Sequence, residues 1–216
     1  MARESAGART DRAARIRGIL AREYPDADCA LHYGTPFQLL VATILSAQCT
    51  DEKVNEVTAA LFRDYGTPEA LAKAPPEEIE RIVHPTGFFR QKTKSILATA
   101  SDITERHGGE VPRTMEGLVA LRGVARKTAN VVLGVAYGKA VGVVVDTHVK
   151  RITNLLGLTK QKDPVKIERE WMALIPQKDW IDISHLLIRH GRGVCVARRP
   201  ACDHCVLRDR CPSSHA

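Results

Sequence analysis

Four cysteines, Cys195, Cys202, Cys205 and Cys211, crowd into seventeen residues in the pattern C-x6-C-x2-C-x5-C, while Cys29 and Cys49 stand alone. In a cytosolic chain such crowding points to a metal rather than to disulfides. Thiolates are the ligands that a [4Fe-4S] cluster requires, and short intervals let one loop wrap it. Four cysteines also suit a structural zinc ion, with His204 beside them, although a single C-x2-C interval is irregular for zinc. A second place with chemical potential is Leu121–Ala129, LRGVARKTA, whose shape predicts two short helices joined by a tight turn at Gly123. The N–H groups at the start of the second helix can hold a phosphate, and Arg126 and Lys127 add positive charge there. A glycine between helices is also the ordinary C-cap. Asp146, just before a predicted helix from Thr147, fits an N-cap.

The elements that would position these residues read as helices. Thr10 is placed to cap a helix in which Ile16, Ile19 and Leu20 recur at helical spacing. Thr35-Pro36 and Thr67-Pro68 pair an N-cap with a proline in the first turn, and Thr50 precedes Val54, Val57 and Leu61. Further helices are expected around 89–106, 115–121, 126–136, 147–156, 164–175 and 180–190, broken by Gly, Pro or Asp. Val141 to Val145 is the one stretch that could be a strand, its valines leaving helix and extended forms undecided. No internal repeat or low-complexity tract is present, so the expected class is all-α with many short helices.

Composition narrows the partners. The 216 residues hold 32 Lys plus Arg against 25 Asp plus Glu, a net charge of +7 and a sequence pI near 9.2. That surplus suits a polyanion, nucleic acid before membrane, though a basic surface without a partner would look the same. From Arg189 onward six arginines face two aspartates, leaving +4, with Arg198 and Arg199 at the tip of the loop between the first two clustered cysteines. This fits a phosphate-gripping surface. The N-terminal MARESAGARTDRAARIR scatters charge where a signal peptide needs an apolar run, and Asn130, Lys139 and three glycines interrupt the most apolar region, Thr128 to Val145. A cytoplasmic protein is expected, nucleoid-associated if bacterial.

LRGVARKTANVVLGVAYGKAVGVVVDTHV resembles the helix-hairpin-helix and catalytic segment of the endonuclease III family, whose pattern is roughly L-P-G-V-G-x-K-T-A followed by V-D-T-H. The resemblance extends to Leu45–Asp51 (LSAQCTD), Thr86–Lys94 (TGFFRQKTK), Gly109–Pro112 (GEVP) and the four cysteines, and so covers nearly the whole chain. Arg122 stands where the family usually has proline, and Ala125 replaces the second hairpin glycine. Because alanine tolerates positive φ poorly, a slightly reshaped hairpin is expected.

The resemblance implies an all-α fold of two helical domains with DNA bound across the cleft between them. Residues 29–140 would form a six-helix barrel containing the hairpin at about 115–134, and 1–28 with 141–216 an iron-sulfur domain. It implies that the four cysteines hold a [4Fe-4S] cluster and that Lys127 is the nucleophile. An amine attacks the sugar C1′ only when unprotonated. The helix N-terminus, Arg126 and partial burial would favour that form. By its residues alone Lys127 fits a phosphate-contacting surface lysine better, and the resemblance reverses that preference. Asp146 would be the second catalytic residue, a fixed anion stabilising positive charge on the sugar as the base leaves, with water-mediated proton transfer as an alternative. Gln48 and Phe88 match positions that plug the gap left by a flipped base, Phe89 being the other possible wedge. Gly123, Val124, Ala125, Arg126 and Thr128 would hold the backbone with Arg198 and Arg199, and His148 would touch DNA or support Asp146. The activity implied is a bifunctional glycosylase and abasic-site lyase acting on damaged, oxidised pyrimidines in duplex DNA, as a monomer and away from membranes. Alternatives are an adenine mismatch glycosylase, which typically lacks the lysine and extends further past the cysteines, and a non-catalytic DNA-binding module.

Overall fold

Threonine hydroxyls start several of the helices. Thr35 Oγ1 accepts from Gln38 N at 3.2 Å, Thr50 Oγ1 from Lys53 N at 3.3 Å and Thr67 Oγ1 from Ala70 N at 3.2 Å, each taking up one of the N–H groups a helix start leaves unpaired. The computed structural model describes residues 4–215, and eleven α-helices run through them: α1 (Ala6–Glu23), α2 (Pro36–Leu45), α3 (Asp51–Tyr65), α4 (Pro68–Ala72), α5 (Pro76–Val83), α6 (Phe89–His107), α7 (Met115–Val119), α8 (Arg126–Val131), α9 (Thr147–Leu155), α10 (Pro164–Leu174) and α11 (Trp180–Gly193). The first cap differs from expectation. Ser5 Oγ accepts from Ala8 N at 3.2 Å and starts α1 five residues earlier, so Thr10 lies inside the helix. Among the described residues there is no strand: Val141 to Val145 is an irregular connection in which Val144 N donates to Ser184 Oγ at 2.9 Å. No helix among them is long and apolar enough to cross a membrane.

The chain forms two units, Cys29–Lys139 and Met1–Asp28 with Ala140–Ala216, each around its own apolar core. In the first, α2 is the centre. Its sequence PFQLLVATIL is apolar on every face, and every residue from Leu39 to Leu45 is buried, as a helix without a polar side must be. The amphipathic helices α3 and α6 pack around it, α4 and α5 lie on α6, and α7 and α8 form the hairpin. Past α8 the helix widens into a π turn over Val132–Ala136. Seven α-helices fall in this unit when the five-residue α4 and α7 are included.

In the second unit Ile16 and Leu20 of α1 share a core with Trp171 of α10 and Leu187 of α11. Trp171 is fully buried, and its indole N–H finds a partner in Thr153 Oγ1 of α9 at 2.9 Å. Arg12 ties α1 to the end of α9 through the carbonyls of Leu156 (2.5 Å) and Gly157 (3.4 Å).

Candidate active site and metal centre

The hairpin is built on α6. Gly123 turns with φ +79, Val124 is buried beneath the turn, and Thr99 Oγ1 of α6 donates to the Arg122 carbonyl at 2.8 Å. Ala125 then starts α8 at φ −89, ψ 167. The reshaping expected of alanine here does not arise, because only Gly123 needs a left-handed backbone. Ala125 offers no side-chain cap to the first turn of α8. Lys127, one residue into α8, is exposed along with Gly123, Ala125 and Arg126, and Thr128 is half-buried. The partial burial expected of Lys127 is therefore not seen.

Gln48 and Phe88 lie in the same unit, and they are the only described residues other than glycine with positive φ, +54 and +48. Left-handed backbone at such residues is uncommon and costs energy, and it gathers at functional positions. Gln48 is exposed on the turn after α2. Phe88, directly before α6, is 68% exposed. Phe89 is placed differently, packed on the core with its ring centroid 4.6 Å from that of His84. Exposure thus separates two phenylalanines that the sequence left equivalent.

In the other unit Asp146 is the N-cap of α9, and its Oδ1 accepts from Val149 N at 2.8 Å. His148 lies against α11, where Gly191 leaves room for it: a Cβ on Gly191 would come within 2.8 Å of His148 Nδ1. Arg151, to which the sequence drew no attention, places one Nη2 on the carbonyls of Gly191 (3.1 Å) and Cys195 (2.5 Å), fixing the first cysteine against α9.

Cys195, Cys202, Cys205 and Cys211 all line one cavity of about 50 Å³, closed by Ile152, Leu155, Leu156 and Leu207. Burial pushes the Cys195 and Cys205 thiols up, the mutual repulsion of the cysteines adds to this, and Arg151 works against it at Cys195. Four thiolates within reach of one another need a cationic centre. Among the described residues no three His, Cys, Asp or Glu side chains are placed to hold a metal ion. The four cysteine side chains face one shared cavity, which suits a cluster bound by all four. Cys205 Sγ accepts from Leu207 N at 3.4 Å and lies 3.5 Å from His190 Nε2. His190 is buried, pulled by desolvation to about 4, and its Nδ1 meets Tyr24 OH at 2.9 Å. No spacing rule signals His190 or Tyr24; only burial reveals them. Arg198 and Arg199 are exposed on the same loop.

Comparison with known proteins agrees with both units. Residues 41–177 match the HhH-GPD superfamily of base excision DNA repair proteins, and residues 195–211 match the iron-sulfur binding domain of endonuclease III. The chain is 57% identical over 205 residues to the endonuclease III of Synechocystis sp., covering 95% of this chain and 94% of that one. Solved structures of a non-covalent endonuclease III–DNA complex and of a trapped endonuclease III–DNA covalent intermediate each superpose with a TM-score of 0.91 at 38% identity, over 95% of this chain and 96% of theirs. Cysteine spacing, cavity and family together mean that the four cysteines' loop carries a [4Fe-4S] cluster, and the chain belongs to the endonuclease III family of base-excision DNA repair enzymes.

Proposed function

We propose that this DNA glycosylase and abasic-site lyase removes damaged, oxidised pyrimidines from duplex DNA with Lys127 as its nucleophile and Asp146 as its electrostatic partner. The observation that carries the reading is the placing of Lys127: an exposed amine in the first turn of a helix without a side-chain cap, directly after the one tight turn of the hairpin. The N–H groups beside it suit a DNA phosphate, which would bring the amine to the adjoining sugar. Nζ, deprotonated, attacks C1′; the bond from C1′ to the base breaks and the base leaves with a proton. The C1′–O4′ bond then breaks as O4′ takes a proton from solvent and the nitrogen lone pair forms the C1′=N bond, giving the protonated Schiff base. Removal of a C2′ proton then expels the 3′ phosphate and cuts the strand. Asp146, held by Val149 N–H, offsets positive charge that builds on the sugar as the base departs.

Gln48 and Phe88 fill the space of the flipped base, a role that their exposure and left-handed backbones support. Gly123 to Thr128, Arg198 and Arg199 hold phosphates. The +7 charge supports work on DNA in the cytoplasm, and a monomer is sufficient for it. Borohydride trapping on abasic duplex tests the central step. Lys127→Ala should lose trapping and strand cleavage while duplex binding largely survives; undiminished trapping would remove Lys127 from the role.

A further inference from the structure

Lys92 of α6 is only 5% exposed, and nothing in the chemistry above uses it. Its Nζ donates to the Thr86 carbonyl at 2.7 Å in the interior. Thr86 is itself buried, and its hydroxyl donates to Val83 O at 2.8 Å. Directly after that carbonyl come two left-handed residues, Gly87 at φ +70 and Phe88 at φ +48. A phenylalanine in that conformation persists only where its surroundings impose it. Burying an ammonium is costly, and an apolar side chain would serve the core better. Desolvation pulls Lys92 below the usual lysine value, opposed only by Cys49, which follows Gln48, the other described non-glycine residue with positive φ.

Position in the helix adds a second line. Residues 92, 95 and 99 recur at intervals of three and four on one buried face of α6, and Phe88 is the N-cap that precedes it. On that face Lys92 grips the Thr86 carbonyl just before Phe88, Ser95 lies against Gly123, and Thr99 donates to Arg122 O. A single helix face therefore carries both the Phe88 turn and the hairpin that bears Lys127.

We propose that Lys92 is a positioning residue whose ammonium, seated on the Thr86 carbonyl, locks the left-handed Gly87–Phe88 turn and so sets the angle at which the Phe88 ring enters duplex DNA. The inference rests on the reading of Phe88 as a wedge. Truncating Lys92 frees the Thr86 carbonyl, lets the turn relax, and leaves the ring exposed but wrongly aimed.

The test uses the full protein with its cluster and a duplex containing a tetrahydrofuran abasic-site analogue beside 2-aminopurine. Two quantities are read: the fluorescence rise on binding, and the affinity for this duplex relative to an undamaged one. Phe88→Ala and Lys92→Met should each lower the affinity ratio on the order of tenfold and blunt the fluorescence rise, and the double variant should lose little more, because both act through one ring. A merely structural role for Lys92 would give additive losses. Gly87→Ala disturbs the same turn from the backbone alone, since its added Cβ meets nothing within 4 Å, and should lower the ratio as well. It decides the matter should Lys92→Met fold poorly. A wild-type ratio in Lys92→Met or in Gly87→Ala, alongside a loss in Phe88→Ala, overturns the clamp and leaves the wedge standing. A wild-type ratio in Phe88→Ala overturns the wedge and the clamp with it.

Discussion

A β-carbon placed on Gly123 would lie 2.8 Å from both Cβ and Oγ of Ser95. The hairpin turn is therefore pressed onto α6, and its glycine is needed twice, for φ +79 and for the close approach. Gly123→Ala should destabilise the protein by about 1–3 kcal/mol, combining overpacking with left-handed strain. Ala125 is the opposite case, sitting at φ −89 where alanine is comfortable. Restoring the family's glycine there should cost roughly 0.4–1 kcal/mol by loosening the unfolded chain. Denaturant unfolding of the two variants checks the pair, and a harmless Gly123→Ala would refute the packing argument.

The cluster makes a direct prediction about the purified protein. It should be yellow-brown, with about four irons and four sulfides per chain. One equivalent of zinc and no visible absorbance would be the contrary result. Cys202→Ser should lower the folded yield, because a lost ligand releases the cross-link that orders the loop.

Arg198 and Arg199 are exposed, as phosphate contacts must be before DNA arrives. If each neutralises one phosphate, replacing both with alanine should reduce the slope of log K against log salt by about two. Damaged and undamaged duplexes should weaken alike, since phosphates carry no base identity. Gln48→Ala should leave the slope nearly intact and weaken binding selectively where a base is flipped. An unchanged slope in the double arginine variant would show that these residues do not meet DNA.

The second unit can be tested without DNA. Thr153 Oγ1 accepts from the buried Trp171 indole at 2.9 Å and donates to Val149 O at 2.6 Å. Thr153→Val keeps the shape but strands the indole N–H, and should cost about 1–3 kcal/mol. A midpoint of denaturation equal to that of the unaltered chain would show that the indole had found another acceptor.

The sequence by itself determined the helices, the family and the cluster, because these depend on local chemistry. A threonine before a proline caps a helix wherever it stands, and four thiols on one short loop converge whatever lies around them. Thr10 shows the limit of such local reasoning: Ser5 offered an earlier cap, and a longer helix won. Tertiary structure alone decided the rest. Phe88 and Phe89 are chemically identical neighbours, and only packing sends one to the core and the other to the surface. Ala125 looked costly until the backbone showed that a single left-handed residue makes the turn. Arg151 and His190 matter through what they touch across the fold. Such contacts have no spacing to read, since they join residues brought together by the burial of apolar surface that neither partner specifies.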